Sequence, residues 1–193
     1  MNLRRYPIVV TFVVLCLLSG KTHAEGGPVF GGVERPRSSL VFEFQAYPTG
    51  IIPGFTYERF FSPRQSLNFR IGRQIIRHGD EGRQDDERGE GAGGSVGYRY
   101  YFPVGISVGA RVDLWFNELD WRNNIGEPDE ESGETDIIVL QPVVEASYRQ
   151  YFSKNWFVQP SVAAGAEINI VTDGEETGEG FIILGALSIG RSF

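Results

Sequence analysis

The side chain best suited to acid–base chemistry is histidine, and residues 25–193 contain only one, His78. A hydrolase with a serine nucleophile needs a base within hydrogen-bond reach of that serine. His78 is followed by Gly79 and Asp80, so the arrangement of a histidine with a serine two residues later is absent. We therefore expect no catalytic residues, and we interpret His78 as an exposed histidine at the end of a strand.

Carboxylates are the most numerous groups that could bind a ligand, and they are concentrated in three segments. Eighteen of the 25 acidic residues lie in segments 78–92, 118–136 and 172–179. Hard divalent cations favour several carboxylate oxygens, so divalent cations are candidate partners of these segments. However, the run Asp173-Gly174-Glu175-Glu176 lacks the ligand spacing of an EF-hand. We expect a solvated acidic surface, with no metal site and no cofactor.

A further set of charged residues alternates with apolar residues along the chain. It comprises Glu43, Glu58, Arg70, Arg99, Arg111, Asp113, Glu145, Arg149 and Glu167. If the apolar faces point outward, these charges lie inside, where unpaired charges are very costly. We expect them to form a plug of ion pairs. The alternative is a narrow path for ions or small solutes, aided by the small residues Gly97, Gly109, Ala163 and Gly165.

The elements that must position these charges are β-strands. Period-2 alternation of apolar residues with mainly polar or small ones, the strand pattern, is clearest in residues 106–117 and 156–170, and no segment after residue 24 has helical apolar spacing. Eight segments are predicted to be strands: 38–48, 54–61, 66–77, 93–102, 106–119, 137–152, 156–171 and 180–193. Most exceed the roughly 5–6 residues of a soluble strand, whereas a tilted transmembrane strand needs roughly 9–11.

The connections between the predicted strands fall into two classes. Three are tight turns that each follow an aromatic cluster, at 62–65, 103–105 and 153–155. Three others are longer and polar, at 78–92, 120–136 and 172–179, and only the first, near 48–53, is short. Aromatic rings favour a membrane–water boundary because they combine apolar and water-tolerant edges. We therefore predict an aromatic girdle beside the turns, formed by Tyr57, Phe61, Tyr98, Tyr100, Phe102, Tyr148, Phe152 and Trp156.

The N-terminal segment has the layout of a cleaved secretory signal peptide. Arg4 and Arg5 precede an apolar run at 8–18, and small residues lead to Ala24. We predict three regions: signal peptide 1–24, periplasmic N-terminal segment 25–37 and barrel 38–193. Residues 25–193 contain no cysteine, 15 basic and 25 acidic residues. This excess of acids argues against nucleic acid as a partner, because that surface requires basic patches.

The C-terminal segment alternates and ends on an aromatic residue, with Leu187, Ile189 and Phe193 on one face and Arg191 among them. With the strand and turn pattern, this resembles the small eight-stranded outer-membrane barrels of the OmpA/OmpX type. The resemblance implies that the final strand is an assembly signal read by the barrel-assembly machinery. It also implies export through the general secretory pathway, location in the outer membrane of a Gram-negative bacterium, and contact with membrane lipid and lipopolysaccharide.

These observations predict an all-β fold: a closed, antiparallel, up-and-down transmembrane barrel of about eight strands, with short periplasmic turns and longer acidic extracellular loops. The expected function is non-enzymatic: a structural, surface-interaction or minor-pore role. Two alternatives stay open. One is a lipid A-modifying enzyme that uses His78. The other is a soluble periplasmic β-barrel lipid carrier, whose apolar residues would point inward and whose arginines and glutamates would point outward.

Overall fold

The computed structural model describes residues 29–30, 33–34, 37–79 and 85–193. The predicted signal peptide, 1–24, lies outside the described residues, as does most of the predicted segment 25–37. Within that segment, the strand Val29–Phe30 pairs with the strand Val33–Glu34. In the described part of the chain, no helix is long and apolar enough to cross a bilayer.

Eight long strands follow one another in chain order. They are β1 (Ser38–Tyr47), β2 (Gly50–Ser62), β3 (Gln65–Gly79), β4 (Asp86–Tyr101), β5 (Ile106–Asn123), β6 (Glu131–Tyr148), β7 (Trp156–Asp173) and β8 (Gly180–Ser192). Each strand pairs antiparallel with the next, and β8 also pairs with β1. The short strand Gln150–Tyr151 continues along β7 after β6. The ring is therefore closed and leaves no unpaired sheet edge.

The predicted fold class is confirmed, since the chain forms an antiparallel up-and-down barrel from the eight predicted segments. The difference lies in strand length. β4 begins at Asp86 and β6 at Glu131, so part of each segment expected to be a loop is paired strand. The polar residues there continue the ladder because backbone pairing does not require apolar side chains, provided that a neighbouring strand continues too.

The two ends of the barrel differ. We call one the turn end; it carries residues 63–64, 102–105 and 149–155 and both chain termini of the barrel. The other, the loop end, carries residues 48–49, 124–130 and 174–179, together with Asp85 before β4. At the turn end, the β4–β5 turn depends on Gly105, whose φ of 85° lies in the left-handed region that favours glycine.

The wall separates an apolar exterior from a mixed interior. All eight strands place large apolar side chains on the outside; Val144 is 64% exposed, Val162 62% and Val96 56%. The charged residues Glu43, Glu58, Arg70, Arg99 and Glu145 are buried inside. This arrangement contradicts the soluble-carrier alternative, because a barrel in water would not expose a continuous apolar band around its wall.

Two prolines interrupt the ladder within the wall. The β6–β7 ladder omits residues 141–142, and the β2–β3 ladder omits residues 52–53, although each resumes in the same register. Proline has no N–H to donate. The carbonyl group of Ala166 therefore lacks the ladder hydrogen bond that position 142 would otherwise donate.

Candidate functional site in the barrel lumen

The lumen side chains come from alternate positions of all eight strands, because successive side chains of a strand point to opposite faces. The predicted charges converge there from distant parts of the chain: Glu58 from β2, Arg99 from β4, Glu145 from β6 and Arg149 from the residue after β6. Glu58 lies four residues from the turn end of β2, and Arg99 lies two residues from the turn end of β4. The turn half of the lumen is therefore charged.

Glu58 is the hub of this charged layer and exposes no surface. Its Oε1 accepts hydrogen bonds from the Ser66 hydroxyl at 2.7 Å and the Tyr101 hydroxyl at 2.7 Å. The same oxygen lies 3.4 Å from Arg99 Nη1, while Oε2 accepts a bond from Arg149 Nη2 at 2.6 Å. Several donors thus replace the water that a buried carboxylate gives up.

Arg149 occupies a break between β6 and the short strand Gln150–Tyr151. Its backbone N–H donates to the carbonyl of Gly105 at 2.9 Å, and its Nε donates to Gln159 Oε1 at 2.7 Å. The guanidinium carbon lies 3.9 Å from the ring centroid of Phe157, 5.0 Å from that of Tyr101 and 5.9 Å from that of Phe60. The arginine is therefore held by a carboxylate and by aromatic faces at once.

A chain of ion pairs extends the charged layer toward the middle of the lumen. Arg99 Nη2 lies 2.5 Å from Glu145 Oε1, and Arg111 Nη1 lies 2.7 Å from Glu145 Oε2. Arg111 Nε in turn lies 2.8 Å from Asp113 Oδ1. With Glu58 and Arg149, the network contains three arginines and three acids, so its formal charge is zero.

A separate pair lies on the β1–β3 side of the lumen. Arg70 Nε is 3.2 Å from Glu43 Oε1. Arg70 Nη1 donates to Gln45 Oε1 at 2.8 Å, and Nη2 donates to the carbonyl of Ile52 at 3.1 Å. The guanidinium also lies over the Trp115 ring, 5.6 Å from its centroid. This second group is also neutral.

The ninth predicted lumen charge, Glu167, contacts an amide side chain. It is half-buried and accepts a hydrogen bond from Gln141 Nε2 at 2.7 Å. Gln141 Oε1 accepts a bond from Trp115 Nε1 at 3.0 Å. Glu167 is therefore connected through amides and an indole, while the other eight predicted charges lie in the two neutral groups.

The loop half of the lumen contains a cluster of apolar side chains, which the sequence analysis did not predict, beside buried polar residues such as Gln74 and Asn117. Trp115 and Val139 expose no surface, and they form one cluster with Ile52, Ile76 and Leu119. The available signal was the run 137–140, which is apolar at consecutive positions and so breaks the alternation. Odd-numbered Trp115 and Val139 point inward, on the same face as the polar residues.

Glycines make room for this apolar cluster. On β4, Gly93 faces Trp115 across the ladder, Gly89 faces Leu119 and Gly91 faces Asn117. A Cβ at Gly93 would lie 2.5 Å from an atom of the Trp115 ring, too close for a real contact. Large side chains of β5 therefore lie flat against a row of glycines, which fills the lumen without spreading the strands.

The small residues expected to widen a path are also covered by neighbours. A Cβ at Gly97 would lie 2.7 Å from Cβ of Arg111, and one at Gly165 would lie 2.6 Å from Cγ1 of Val143. Gly109 lies beside Tyr98 and Glu145 in the same way, and Ala163 is buried in the apolar cluster. At these positions the space above the backbone is occupied by adjoining side chains or backbone atoms.

The predicted girdle and assembly residues occupy the outer surface. The following are exposed near the turn end: Phe61, Tyr98, Phe102, Tyr148, Phe152 and Trp156. Tyr57 and Tyr100 are half-buried; the Tyr57 hydroxyl is 3.0 Å from the Ser38 hydroxyl. Leu187, Ile189 and Phe193 are exposed at the end of the chain. Their predicted roles, the girdle and the assembly signal, stay predictions.

His78 lies in β3, and its side chain is outside the described part of the structure. Several of the acids predicted to lie in loops are instead on strands, including Glu90, Glu134 and Asp136. Across the described residues, no group of three or more histidine, cysteine, aspartate or glutamate side chains could hold a metal ion. Binding of divalent cations to the acidic segments stays a prediction.

No family model matches the chain. No curated protein matches it either. Similar solved structures are small membrane barrels. The N-terminal barrel domain of Pseudomonas aeruginosa OprF has 14% identity and a TM-score of 0.43, covering 81% of this chain and 98% of that one. Acinetobacter baumannii CarO has 12% identity and a TM-score of 0.47, and the match covers 82% of this chain and 98% of CarO. Neisserial surface protein A has 10% identity and a TM-score of 0.45, covering 81% and 94%.

Proposed function

We propose that this protein is a non-conducting barrel of the Gram-negative outer membrane that acts through its outer surface. The observation that carries this proposal is the filled lumen. A charged layer occupies the turn half and an apolar cluster occupies the loop half, and Glu58, Asp113, Trp115 and Val139 each expose no surface. An eight-stranded barrel has an interior only wide enough for side chains.

The exterior supports the membrane location. A strand in hydrocarbon must have its backbone groups paired, which a closed barrel achieves. The apolar side chains exposed on all eight strands suit contact with lipid chains, and exposed aromatic residues such as Phe61, Tyr148 and Trp156 lie near the turn end. The turn end would then face the periplasm and the loop end the exterior.

The loop end supports a surface role. β5 and β6 each have 18 residues, more than the roughly 9–11 that cross the membrane. Their surplus length carries acids, including Asp120, Glu134 and Asp136. Because this part is a paired sheet, it would present a defined surface beyond the outer leaflet. Lipopolysaccharide and divalent cations are proposed partners of that surface, as the barrel-assembly machinery is of the final strand.

Conductance in a planar bilayer tests the proposal. The purified folded protein, verified by heat-modifiable migration on a gel, should give no stable current steps at moderate voltage. A general porin reconstituted by the same procedure is the control for insertion. Reproducible unitary steps from the wild-type chain would show that the lumen conducts and would overturn the non-conducting role.

The absence of enzyme activity also remains a prediction. The specific alternative is modification of lipid A with His78 as the base. Mass spectra of lipid A from cells that express the wild-type chain, the His78→Ala variant and neither protein should be identical. A mass change that requires His78 would replace the surface role with an enzymatic one.

A further inference from the structure

A groove runs along the outer wall of the barrel, on the side formed by β3 to β7. Its lining is almost wholly apolar and includes Leu67, Tyr98, Ala110, Pro142, Val144 and Ala164. The groove forms because Ala110, Pro142 and Ala164 are small or compact, whereas the flanking Tyr98 and Val144 are larger. Its volume is about 580 Å³.

The groove lies in the turn half of the wall. Leu67 is two residues from the turn end of β3, Tyr98 is three from the turn end of β4, and Ala110 is four from that of β5. In the proposed orientation this is the periplasmic leaflet of the outer membrane, which consists of phospholipid. The hydrocarbon that covers the groove therefore comes from phospholipid chains and not from lipid A.

A cationic side chain lies where the head of such a lipid would be. Arg64 is exposed in the β2–β3 turn, and its Nη1 donates to the Tyr100 hydroxyl at 3.4 Å. Tyr100 is on the same outward face of β4 as Tyr98, two residues nearer the turn end. A guanidinium and a phenol side by side at the membrane boundary are suited to a phosphate group.

We propose that this groove is a binding site for one anionic phospholipid, with an acyl chain along the groove and the phosphate at Arg64. The proposal rests on the membrane location proposed above. A second copy of the chain fits less well, because a specific protein interface buries roughly 1,200–2,000 Å². Two convex barrel walls meet along a line, so the wall of a partner would fill a concave groove poorly.

Native mass spectrometry of the delipidated, folded protein with phosphatidylglycerol tests this site. The wild-type chain should retain one lipid in a saturable manner. Ala164→Leu fills the groove, and losing contact with about two methylene groups should weaken retention about tenfold. Arg64→Gln should reduce retention of phosphatidylglycerol but leave retention of uncharged diacylglycerol unchanged.

Matched variants on the same wall are the controls. Ala146→Leu adds the same side chain at an exposed position of β6 outside the groove, and Lys154→Gln removes an exposed cation from another turn at the same end. Both should bind lipid as the wild type does. Equal losses in Ala164→Leu and Ala146→Leu, or unsaturable lipid adducts, would overturn the site.

Two further outcomes would also overturn the proposal. A dimer that forms without lipid and is lost in Ala164→Leu would assign the groove to a second copy. If Arg64→Gln retains phosphatidylglycerol as well as the wild type does, the proposed contact between Arg64 and the phosphate is wrong. Failure of the lipid site is distinguishable from failure of the non-conducting role, because current across a bilayer does not depend on lipid retention in detergent.

Discussion

The two halves of the lumen solve the same packing problem by different means. The turn half uses ion pairs and hydrogen bonds centred on Glu58, and the loop half uses apolar contacts centred on Trp115. A charged network tolerates substitution poorly, because removing one member leaves its partners as unpaired charges in a low-dielectric interior. An apolar cluster depends on volume, so its members are more replaceable. The comparison predicts different responses to substitution.

The largest effect should come from breaking the charged layer at its hub. Glu58→Ala leaves Arg149 and Arg99 without a carboxylate that each now contacts. We expect the free energy of unfolding to fall by about 3–5 kcal/mol. Denaturant unfolding in lipid vesicles measures this, and bilayer recording of the same variant should show current that the wild type lacks.

A double variant sharpens the interpretation of that loss. Replacing both residues of the ion pair, as Glu58→Leu with Arg149→Met, leaves no buried unpaired arginine at position 149. The double variant should therefore recover part of the stability lost in Glu58→Ala. If the double variant is no more stable than Glu58→Ala, a buried unpaired charge is not the cause of the loss.

Breaking the apolar cluster should lower the free energy of unfolding by less, through lost apolar burial and a cavity alone. Ile52→Ala removes buried methyl groups from a side chain that is 1% exposed. We expect a loss of about 2–4 kcal/mol from transfer and cavity terms, without any current across the bilayer because the charged layer stays intact. If Ile52→Ala gave a current as large as that of Glu58→Ala, the apolar cluster and not the charged layer would be what blocks ion flow.

The row of glycines tests whether the apolar cluster is tightly filled. Gly93→Ala places a methyl group against the Trp115 ring and the β5 backbone. Overpacking should cost about 1–3 kcal/mol. Gly185→Ala is the matched control, since a Cβ at Gly185 would meet nothing within 4 Å. Equal unfolding free energies for the two variants would contradict close packing at Gly93.

The smallest expected effect is a gain in stability from a substitution in the barrel wall, outside both the charged layer and the apolar cluster. Pro142→Val restores an N–H opposite the carbonyl of Ala166, and one added hydrogen bond should contribute about 0.5–1.5 kcal/mol. Amide hydrogen exchange of residues 166–168 should slow in the variant. Pro53→Val is the control, because it repairs the β2–β3 ladder and should leave exchange in β7 unchanged.

Much of the fold could be predicted because strand alternation is a local property. Eight segments with a two-residue period predicted eight strands, and the polar face of each predicted which charges lie inside. Trp115 was missed because it stands on the mainly polar face of its strand, between Asp113 and Asn117 on that face, where the two-residue period predicts a polar or small side chain. The extension of β4, β5 and β6 was missed because acidic, glycine-rich segments have low strand propensity.

The sequence by itself determined the number of strands, the apolar exterior and the charged residues of the interior. Only the tertiary structure decided that Arg149 meets Glu58, a residue 91 positions away, and that Trp115 lies over Gly93. The physical reason is that pairing across the lumen depends on barrel closure and on the register of every ladder between the partners. Register is a long-range property, and a one-residue shift in any strand would change every partner.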